Sequence, residues 1–325
     1  MTVVASRTRK PDLANSKQAH SVVSLFAGCG GMDLGFRGGF TFLGKRFASN
    51  PYQILWANEL NPHACETYRR NVHEDVRCGD IWKLIDDVPA HADVVIGGFP
   101  CQDISINGKG LGIAGGRSGL YRAMVEVVKR VRPKAFVAEN VKGLLMKHNR
   151  GSLATIISDF GALGYSVRHD LYQAADYGVP QTRERVLIVG TLPGVGQFVP
   201  PAPTHDRKSW ITAGDAIDDL KTLPADPERS HIWSEAKRSQ DQGSRFLRRD
   251  RPGYTMRAEC HGNIQFHYEL KRRMSMREAA RIQSFPDSFL FRSKLRETER
   301  QIGNAVPPVL AWHVARALAK CLDLR

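Results

Sequence analysis

The sequence predicts an α/β fold, and three features carry that prediction. Apolar, β-branched runs occur at residues 21–26, 92–96 and 135–139, each of a length that suits a strand buried in a sheet. The first run passes through a group of glycines into a helical pattern that begins at Met32. Strands that alternate with helices form a mainly parallel sheet with helices on both faces. At 325 residues the chain is long enough for one large domain of this kind that carries a smaller one.

The composition is that of a globular protein with a strong basic excess. Hydrophobic residues make up 42% and charged residues 25% of the chain, as in ordinary soluble domains. The formal net charge of +14 and the pI near 9.7 favour a polyanionic partner, most simply nucleic acid. A generally basic surface without a specific partner is the alternative. Residues 1–20 are polar and basic and are predicted to form a flexible tail.

The cysteine pattern and the hydropathy bound the setting of the protein. The six cysteines include no C-x-x-C pair, which argues against a disulfide framework and against a zinc site, and is typical of a reducing cytosol. No apolar run approaches the length of a membrane span, and the N-terminus lacks the apolar segment of a signal peptide. We therefore expect a cytoplasmic protein with no bound metal and no membrane association.

The stretch GGFPCQDIS, residues 97–105, directly follows the strand at 92–96. Pro100 ends the strand and leaves Cys101 at its carboxyl end, where ligands and reacting groups collect in open α/β sheets. A thiol held rigidly from behind and open in front is a candidate nucleophile; a small buried hydrophobic residue is the alternative. The glycine-rich residues 106–119 follow, and we expect a mobile lid there.

The glycine turn at residues 27–31 connects the first strand to the first helix, which lets a ligand approach the backbone at a helix N-terminus. The pattern is not G-x-G-x-x-G, because Asp33 stands where the third glycine would fall. This disfavours a dinucleotide and favours a small adenosyl ligand without a pyrophosphate. A purely structural glycine turn is the alternative.

Three acidic residues follow predicted strands at this edge of the sheet. Glu59 comes after the strand at 54–57, where a carboxylate commonly accepts hydrogen bonds from a ribose diol; a solvated loop carboxylate is the alternative. Asp80 ends the short third strand, where it could accept from an adenine amine. Glu139 ends the strand at 135–139 and would lie one strand away from Cys101 if the two strands are neighbours.

Arginines mark two further regions. Arg183 and Arg185 are two residues apart on an extended segment, so both side chains are expected on the same side, toward the catalytic edge; structural salt bridges compete with this interpretation. At residues 191–273 prolines accumulate, periodicity fades, and a cluster of arginines with nearby aromatic residues has the composition of a nucleic-acid surface. A flexible, solvated loop is the alternative. Regular helix resumes at 277–283, and QIGNAVPP at 301–308 opens a final amphipathic helix.

Taken in order, these motifs resemble the DNA cytosine-C5 methyltransferase family. The matching stretches are SLFAGCGG (24–31), Glu59, CGDI (78–81), GGFPCQDIS (97–105), AENVKGL (138–144), QTRER (181–185), REAARIQSFPD (277–287) and QIGNAVPP (301–308). They span nearly the whole chain from residue 21. One departure is Ile104, where the family commonly has an aromatic residue.

The resemblance implies a Rossmann-like, S-adenosylmethionine-dependent methyltransferase sheet with a smaller, irregular target-recognition domain. The catalytic domain would comprise residues 21–190 and 274–325, and the target-recognition domain residues 191–273. The substrate would be a cytosine flipped out of a short, specific sequence of double-stranded DNA. Cys101 would add to carbon 6 of the ring, Glu139 would hydrogen-bond N3 and Arg185 would contact O2. The implied catalytic set is Cys101, Glu139, Arg183 and Arg185.

The resemblance also implies binding residues for S-adenosylmethionine and for DNA. The cofactor set is Phe26, Gly28, Gly30, Gly31, Glu59, Asp80, Ile81, Pro100 and Asn304. The DNA set is Gln102, Ser105, Arg245, Arg248, Arg249 and Arg257. We expect a monomer of the bacterial cytoplasm that is associated with DNA and protects host DNA, paired with a restriction endonuclease acting on the same sequence; an orphan methylase would have the same features.

Two rival functions remain open on the sequence. An RNA cytosine-C5 methyltransferase would keep the chemistry on the same scaffold and change the polymer. A catalytically silent DNA-binding regulator derived from the enzyme predicts a broken nucleophile or acid, whereas the sequence has Cys101, Glu139, Arg183 and Arg185.

Overall fold

The computed structural model describes residues 19–100, 119–235, 245–258 and 265–323. The strands are β1 (His20–Leu25), β2 (Phe40–Phe42), β3 (Lys45–Phe47), β4 (Tyr52–Glu59), β5 (Val76–Cys78), β6 (Val94–Gly97), β7 (Ala135–Val141), β8 (Ser166–Gln173), β9 (Gln181–Thr182), β10 (Glu184–Thr191) and β11 (Gly253–Tyr254). The helices are α1 (Gly31–Arg37), α2 (Pro62–Asn71), α3 (Ile81–Leu84), α4 (Gly119–Val131), α5 (Arg150–Ala162), α6 (Ala213–Ile217), α7 (Met276–Ile282), α8 (Leu295–Asn304) and α9 (Pro308–Asp323).

A seven-stranded sheet in the order β5-β4-β1-β6-β7-β10-β8 forms the centre of the molecule. Neighbouring strands are parallel except at β10, which runs antiparallel to both β7 and β8. Consecutive residues of β1, Val22 and Val23, pack into two different apolar clusters, because side chains alternate across a strand. Residues of α1 and α9 fill one cluster, and residues of α4 and α5 fill the other. Both faces of the sheet are therefore covered, which confirms the predicted α/β class.

The predicted strands are confirmed with small shifts of their ends. The expected neighbours β6 and β7 pair in parallel, with Gly97 opposite Ala138, so Glu139 lies beside the residue that follows β6. Other elements differ from the prediction. Residues 301–304 end α8 instead of opening the last helix, which begins at Pro308 after a separate turn, because the proline pair at 307–308 cannot continue a helix.

The described parts of residues 191–273 pack onto the sheet domain. Most of their buried apolar side chains belong to the same cluster as Val22 of β1 and α9: Phe198, Ala213, Ala216, Ile217, Leu247 and Met256. Helix α6 begins with a capping box at Thr212, and it packs on α7, in which every residue is buried. Arg281 of α7 contacts Asp219, just after α6, at 2.5 Å and so connects the ends of these two helices. The boundary of a target-recognition domain stays a prediction.

Within the described ranges, no helix is both long and apolar enough to span a bilayer.

Candidate active site

The sheet topology gathers most of the predicted site residues at one edge. Strands β1, β4, β5, β6 and β7 are parallel and therefore end at the same edge, and the antiparallel β10 begins there. The glycine turn, Glu59, Asp80 and Glu139 each lie at the end of one of these strands or directly after it. Arg185 lies at the start of β10. The predicted common edge is thus present.

Glu139 and Arg185 form an ion pair at this edge. The Nε atom of Arg185 lies 2.7 Å from Oε1 of Glu139, and both side chains are about one-tenth exposed. The register explains the contact, because Leu187 pairs with Glu139 and Arg185 with Val141, which places the two side chains diagonally across β10 and β7. A second donor of the guanidinium, Nη1, bonds the carbonyl of Glu184 at 2.7 Å. The geometry therefore presents a carboxyl group and a guanidinium side by side.

The backbone after β6 approaches this carboxyl group closely. A Cβ atom added at Gly98 would lie 2.9 Å from Oε2 of Glu139, so only glycine fits without a shift. The Asn140 side-chain amide donates to the carbonyl of Phe99 at 3.1 Å. The close approach at Gly98 and this hydrogen bond place the segment that leads to Cys101 against β7. The exposed Pro100 is the last described residue of the segment. Cys101, Gln102 and Ser105 lie outside the described residues, so their roles stay predictions.

Arg183 has a different environment from Arg185. Its side chain is completely buried and donates to the carbonyls of Met256 at 2.8 Å, Gly303 at 2.7 Å and Ala305 at 3.0 Å. Burial lowers the pKa of the Arg183 guanidinium well below its usual value, with a further contribution from Arg185. These contacts join the start of β10 to the end of α8. The two arginines therefore have different partners, since Arg185 contacts Glu139 and Arg183 holds the end of α8. That both side chains serve the catalytic edge stays a prediction.

The glycine turn has one open position and two packed ones. Gly28 has a φ of 57° and a Cβ atom there would meet nothing within 4 Å. At Gly30 the added atom would lie 2.4 Å from Val72, and at Gly31 it would lie 2.4 Å from the carbonyl oxygen of Val306. Gly28 therefore borders open space, whereas the other two glycines permit close packing of the turn. Phe26, at a φ of 53°, is partly buried at the start of the turn.

Glu59 joins the turn to the end of β4. Its Oε2 accepts from the Gly28 N–H at 2.8 Å, and its Oε1 accepts from the Asn61 N–H at 2.8 Å. Burial raises the pKa of the Glu59 carboxyl, and these N–H groups and the charge of Arg300 partly oppose the shift. A carboxylate has about four acceptor positions, so Glu59 can still accept from a hydroxyl group of a ligand.

Asp80 and Ile81 occupy the start of α3. Asp80 is the exposed N-cap, and its Oδ1 accepts from the Trp82 N–H at 3.0 Å. The Ile81 side chain is 2% exposed within an apolar cluster, so only its backbone can reach a ligand. As the first residue of the helix, its N–H has no partner within α3.

Two exposed apolar side chains at this edge were not singled out from the sequence. Leu60 is 67% exposed and directly follows Glu59, and Trp82 is 44% exposed and lies two residues after Asp80. Their placement beside the acidic residues at two strand ends is the signal that would have found them. Exposed apolar side chains of this kind suit a flat, partly apolar ligand.

Asn304 is the exposed last residue of α8. The end of this helix contacts the glycine turn, because Cys29 Sγ lies 3.7 Å from the carbonyl oxygen of Gln301. Asn304 is therefore placed at the border of the edge that holds Gly28.

The arginines predicted to bind DNA divide into two pairs. Arg249 contacts Asp218 at 2.6 Å, and Arg248 contacts Asp250 at 3.5 Å.

Arg245 belongs to the second pair, and its guanidinium lies over the ring of Tyr254 at 5.9 Å. Tyr254 belongs to β11, which pairs with β9 directly before Arg183. The backbone of Arg257 lies beside Gly303 at the end of α8. Arg245 and Arg257 therefore neighbour the candidate site.

Arg248 and Arg249 line an open groove of about 1540 Å³. Its other walls are the second half of α1, the β2–β3 hairpin, residues 212–219 and residues 286–289, together with the side chains of Asn71 and Arg281. None of the predicted cofactor or catalytic residues that the structure describes lines it. Because α1 leads away from the glycine turn, we do not assign this groove to the active site.

No group of three or more His, Cys, Asp or Glu side chains within the described part of the chain could hold a metal ion.

Comparison with known proteins identifies the family. The family model described as C-5 cytosine-specific DNA methylase matches residues 20–245 and 227–320. Type II methyltransferase M.NgoFVII of Neisseria gonorrhoeae is 35% identical, over 94% of this chain and 88% of that protein. Type II methyltransferase M1.HphI of Haemophilus parahaemolyticus is 36% identical, over 92% of this chain and 86% of that protein.

Solved structures share the fold at lower sequence identity. Methyltransferase EhMeth of Entamoeba histolytica superposes with a TM-score of 0.65 at 15% identity, over 95% of this chain and 100% of that chain. A triple mutant of Spodoptera frugiperda DNMT2 gives a TM-score of 0.65 at 16% identity, over 92% of this chain and 99% of that chain. With a family model that covers nearly the whole chain and relatives at about one-third identity, the chain belongs to the C-5 cytosine-specific DNA methylase family and is a DNA (cytosine-5-)-methyltransferase.

Proposed function

We propose that this enzyme transfers a methyl group from S-adenosylmethionine to carbon 5 of a cytosine flipped out of a short, specific sequence in duplex DNA. One observation carries the proposal. The Glu139–Arg185 pair is held against Gly98, three residues before Cys101, the nucleophile predicted from the sequence. Nucleophile, acid and cation are the groups that addition to a pyrimidine ring requires.

The chemistry follows from the weak nucleophilicity of carbon 5. The Cys101 thiolate adds to carbon 6, which moves the ring electrons toward carbon 5. The Glu139 carboxyl group hydrogen-bonds N3, and Arg185 donates to O2, so that the charge arising on the ring is offset. After methylation, a base removes the proton from carbon 5 and the thiolate leaves carbon 6, which restores the aromatic ring.

The residues at the strand ends fit S-adenosylmethionine. Gly28 borders open space, Glu59 retains acceptor positions for a ribose diol, and Leu60 and Trp82 expose apolar surface near Asp80. Asn304 would lie near the methionine end. When bound, the cofactor supplies the methyl group as an electrophile. The protein's own part is to orient the ribose and to keep water from the reacting carbon.

The contacts of Arg183 support a positioning role. Its three hydrogen bonds to carbonyl groups hold residue 256 and the end of α8 against the start of β10. We propose that Arg183 acts on the reaction through this scaffold, which fixes Arg185 two residues further along.

On the DNA side, the net charge of +14 supports binding to the phosphate backbone. Arg245 and Tyr254 stand beside the candidate site, and we propose that they contact DNA near the flipped base. The ion pairs of Arg248 and Arg249 with carboxylates make these two arginines weaker candidates. The names of the Type II methyltransferase relatives support a role in host protection together with a restriction endonuclease.

The proposed function is tested by giving the purified enzyme S-adenosylmethionine with a radioactive methyl group and either duplex DNA or tRNA. Bisulfite sequencing of DNA from cells that express the chain then gives the base and its sequence context. We expect 5-methylcytosine in DNA at one short sequence and none with Cys101→Ser. Methylation of tRNA but not of DNA would identify RNA as the substrate. No incorporation into either polymer would support a catalytically silent DNA-binding regulator.

A further inference from the structure

Helix α8 presents one face along the edge that holds the proposed cofactor site. Glu297, Arg300 and Asn304 are spaced by three and four residues, so their side chains share a face. At one end of this face, Glu297 accepts at 3.2 Å from the side chain of Asn61, which lies two residues after Glu59. At the other end, Asn304 borders the glycine turn, as described above. Arg300 therefore lies between the ends of β4 and β1.

Arg300 is exposed, and its guanidinium has no hydrogen bond or ion pair with any residue that the structure describes. Its charge nevertheless reaches Glu59, since it opposes the effect of burial on the pKa of that carboxyl. Other arginines near this helix differ: Arg292, just before α8, pairs with Glu228 at 2.9 Å. A cation with uncommitted donors thus faces the strand ends on which the ribose and the sulfonium are proposed to lie.

We infer that Arg300 binds the carboxylate of the amino-acid part of S-adenosylmethionine. This inference rests on the proposed function, because it takes the cofactor and its orientation from there. With the ribose at Glu59 and the methyl group directed toward Cys101, the amino-acid part lies between Glu59 and the glycine turn, which is the stretch that Arg300 borders. A guanidinium matches a carboxylate with two parallel donors.

If Arg300 acted on Glu59 and not on the cofactor carboxylate, the affinities of different ligands would change in a different way. If Arg300 acted only by keeping Glu59 ionised, it would influence every ligand that carries the ribose diol. If it binds the carboxylate, it influences only ligands that carry the amino-acid part. S-adenosylhomocysteine has both groups, whereas methylthioadenosine has the adenosine and the sulfur but no carboxylate.

The test is calorimetric titration of both ligands into the full-length enzyme and into Arg300→Met, Arg300→Lys and Arg292→Met. We expect Arg300→Met to weaken S-adenosylhomocysteine by roughly tenfold to hundredfold, the usual effect of one charged hydrogen-bonded contact, and to leave methylthioadenosine unchanged. Lysine at 300 should restore part of the affinity. Arg292→Met removes the same charge elsewhere and should change neither ligand.

Equal weakening of both ligands would overturn the inference and assign Arg300 to Glu59 instead. Unchanged affinity for both ligands in Arg300→Met would overturn it as well. If the unmodified enzyme bound neither ligand, the proposed function itself would fail, and that result is separate from either outcome for the variants. Equal melting temperatures of the variants, measured beforehand, show that the fold is retained.

Discussion

Gly98→Ala is the smallest change that addresses the candidate carboxyl group. The added Cβ atom would lie 2.9 Å from Oε2 of Glu139, a separation that real Cβ atoms do not adopt. The carboxyl group cannot turn away freely, because Arg185 holds its other oxygen at 2.7 Å. Either the ion pair lengthens or the backbone before Cys101 moves outward. Overpacking of this kind typically costs about 1–3 kcal/mol.

The functional cost should exceed the cost in stability. A displacement of about 1 Å between reacting groups can lower a rate by about a hundredfold. For a chain of this size, 1 kcal/mol lowers the melting temperature by roughly 2–4 °C. We therefore expect a fall in kcat of about tenfold to hundredfold with a decrease in melting temperature of several degrees and with unchanged binding of S-adenosylhomocysteine.

The assay is single-turnover methylation of duplex DNA, with Gly151→Ala as matched control. A Cβ atom at Gly151, in helix α5, meets nothing within 4 Å, so this variant should keep its activity and its stability. Full activity of Gly98→Ala would show that the spacing between Glu139 and the segment before Cys101 does not matter for the reaction, contrary to this prediction.

Three further predictions concern stability, pH and salt. Arg183→Met should lower the free energy of unfolding by several kcal/mol in urea titrations, at roughly 1–3 kcal/mol for each carbonyl left without its donor; an unchanged midpoint would contradict its scaffolding role. Because burial raises the pKa of Glu59, its carboxylate is lost on acidification at a higher pH than an ordinary glutamate. Affinity for S-adenosylhomocysteine should therefore fall as the pH drops through that raised pKa, and Glu59→Gln, weak throughout, should remove this dependence. Arg245→Ala should reduce the slope of log Kd for DNA against log salt by about one. Arg249→Ala should change this slope less, because the Arg249 guanidinium is paired with a carboxylate. Equal effects of the two substitutions would contradict the proposal that Arg249 is the weaker candidate for DNA contact.

The sheet was predictable because its strands are apolar, β-branched and followed by glycine or acidic residues. That pattern also predicted that Glu139 lies one strand from the segment of Cys101, which the pairing of β6 with β7 confirms. The β2–β3 hairpin was not predicted, because each of its strands has only three residues, too few for a periodic signal. Helix α8 was missed because charged residues dominate its first two turns and the sequence motif at 301–308 crosses its end.

The environment of Arg183 could not be predicted from its neighbours in the sequence. Its spacing from Arg185 suggested a shared direction, but residue 183 lies in the break between β9 and β10, where the alternation of an extended strand does not hold. Two of its carbonyl partners are 73 and 120 residues away along the chain. Such contacts depend on the packing of the end of α8 against β10, which local patterns do not encode. Arg300 was overlooked for a similar reason, since only the placement of α8 beside β4 shows what it faces.

In the proposed mechanism, the Cys101 sulfur adds to carbon 6 of the target cytosine. Duplex DNA that carries 5-fluorocytosine at the methylated position tests it directly, because fluorine at carbon 5 cannot leave as a proton does and the adduct persists. With S-adenosylmethionine present, we expect a denaturation-resistant complex that mass spectrometry assigns to the peptide of Cys101 and that Cys101→Ser does not form. Methylation of ordinary cytosine at that site without such a complex, or a complex at another residue, would contradict a nucleophilic role of Cys101.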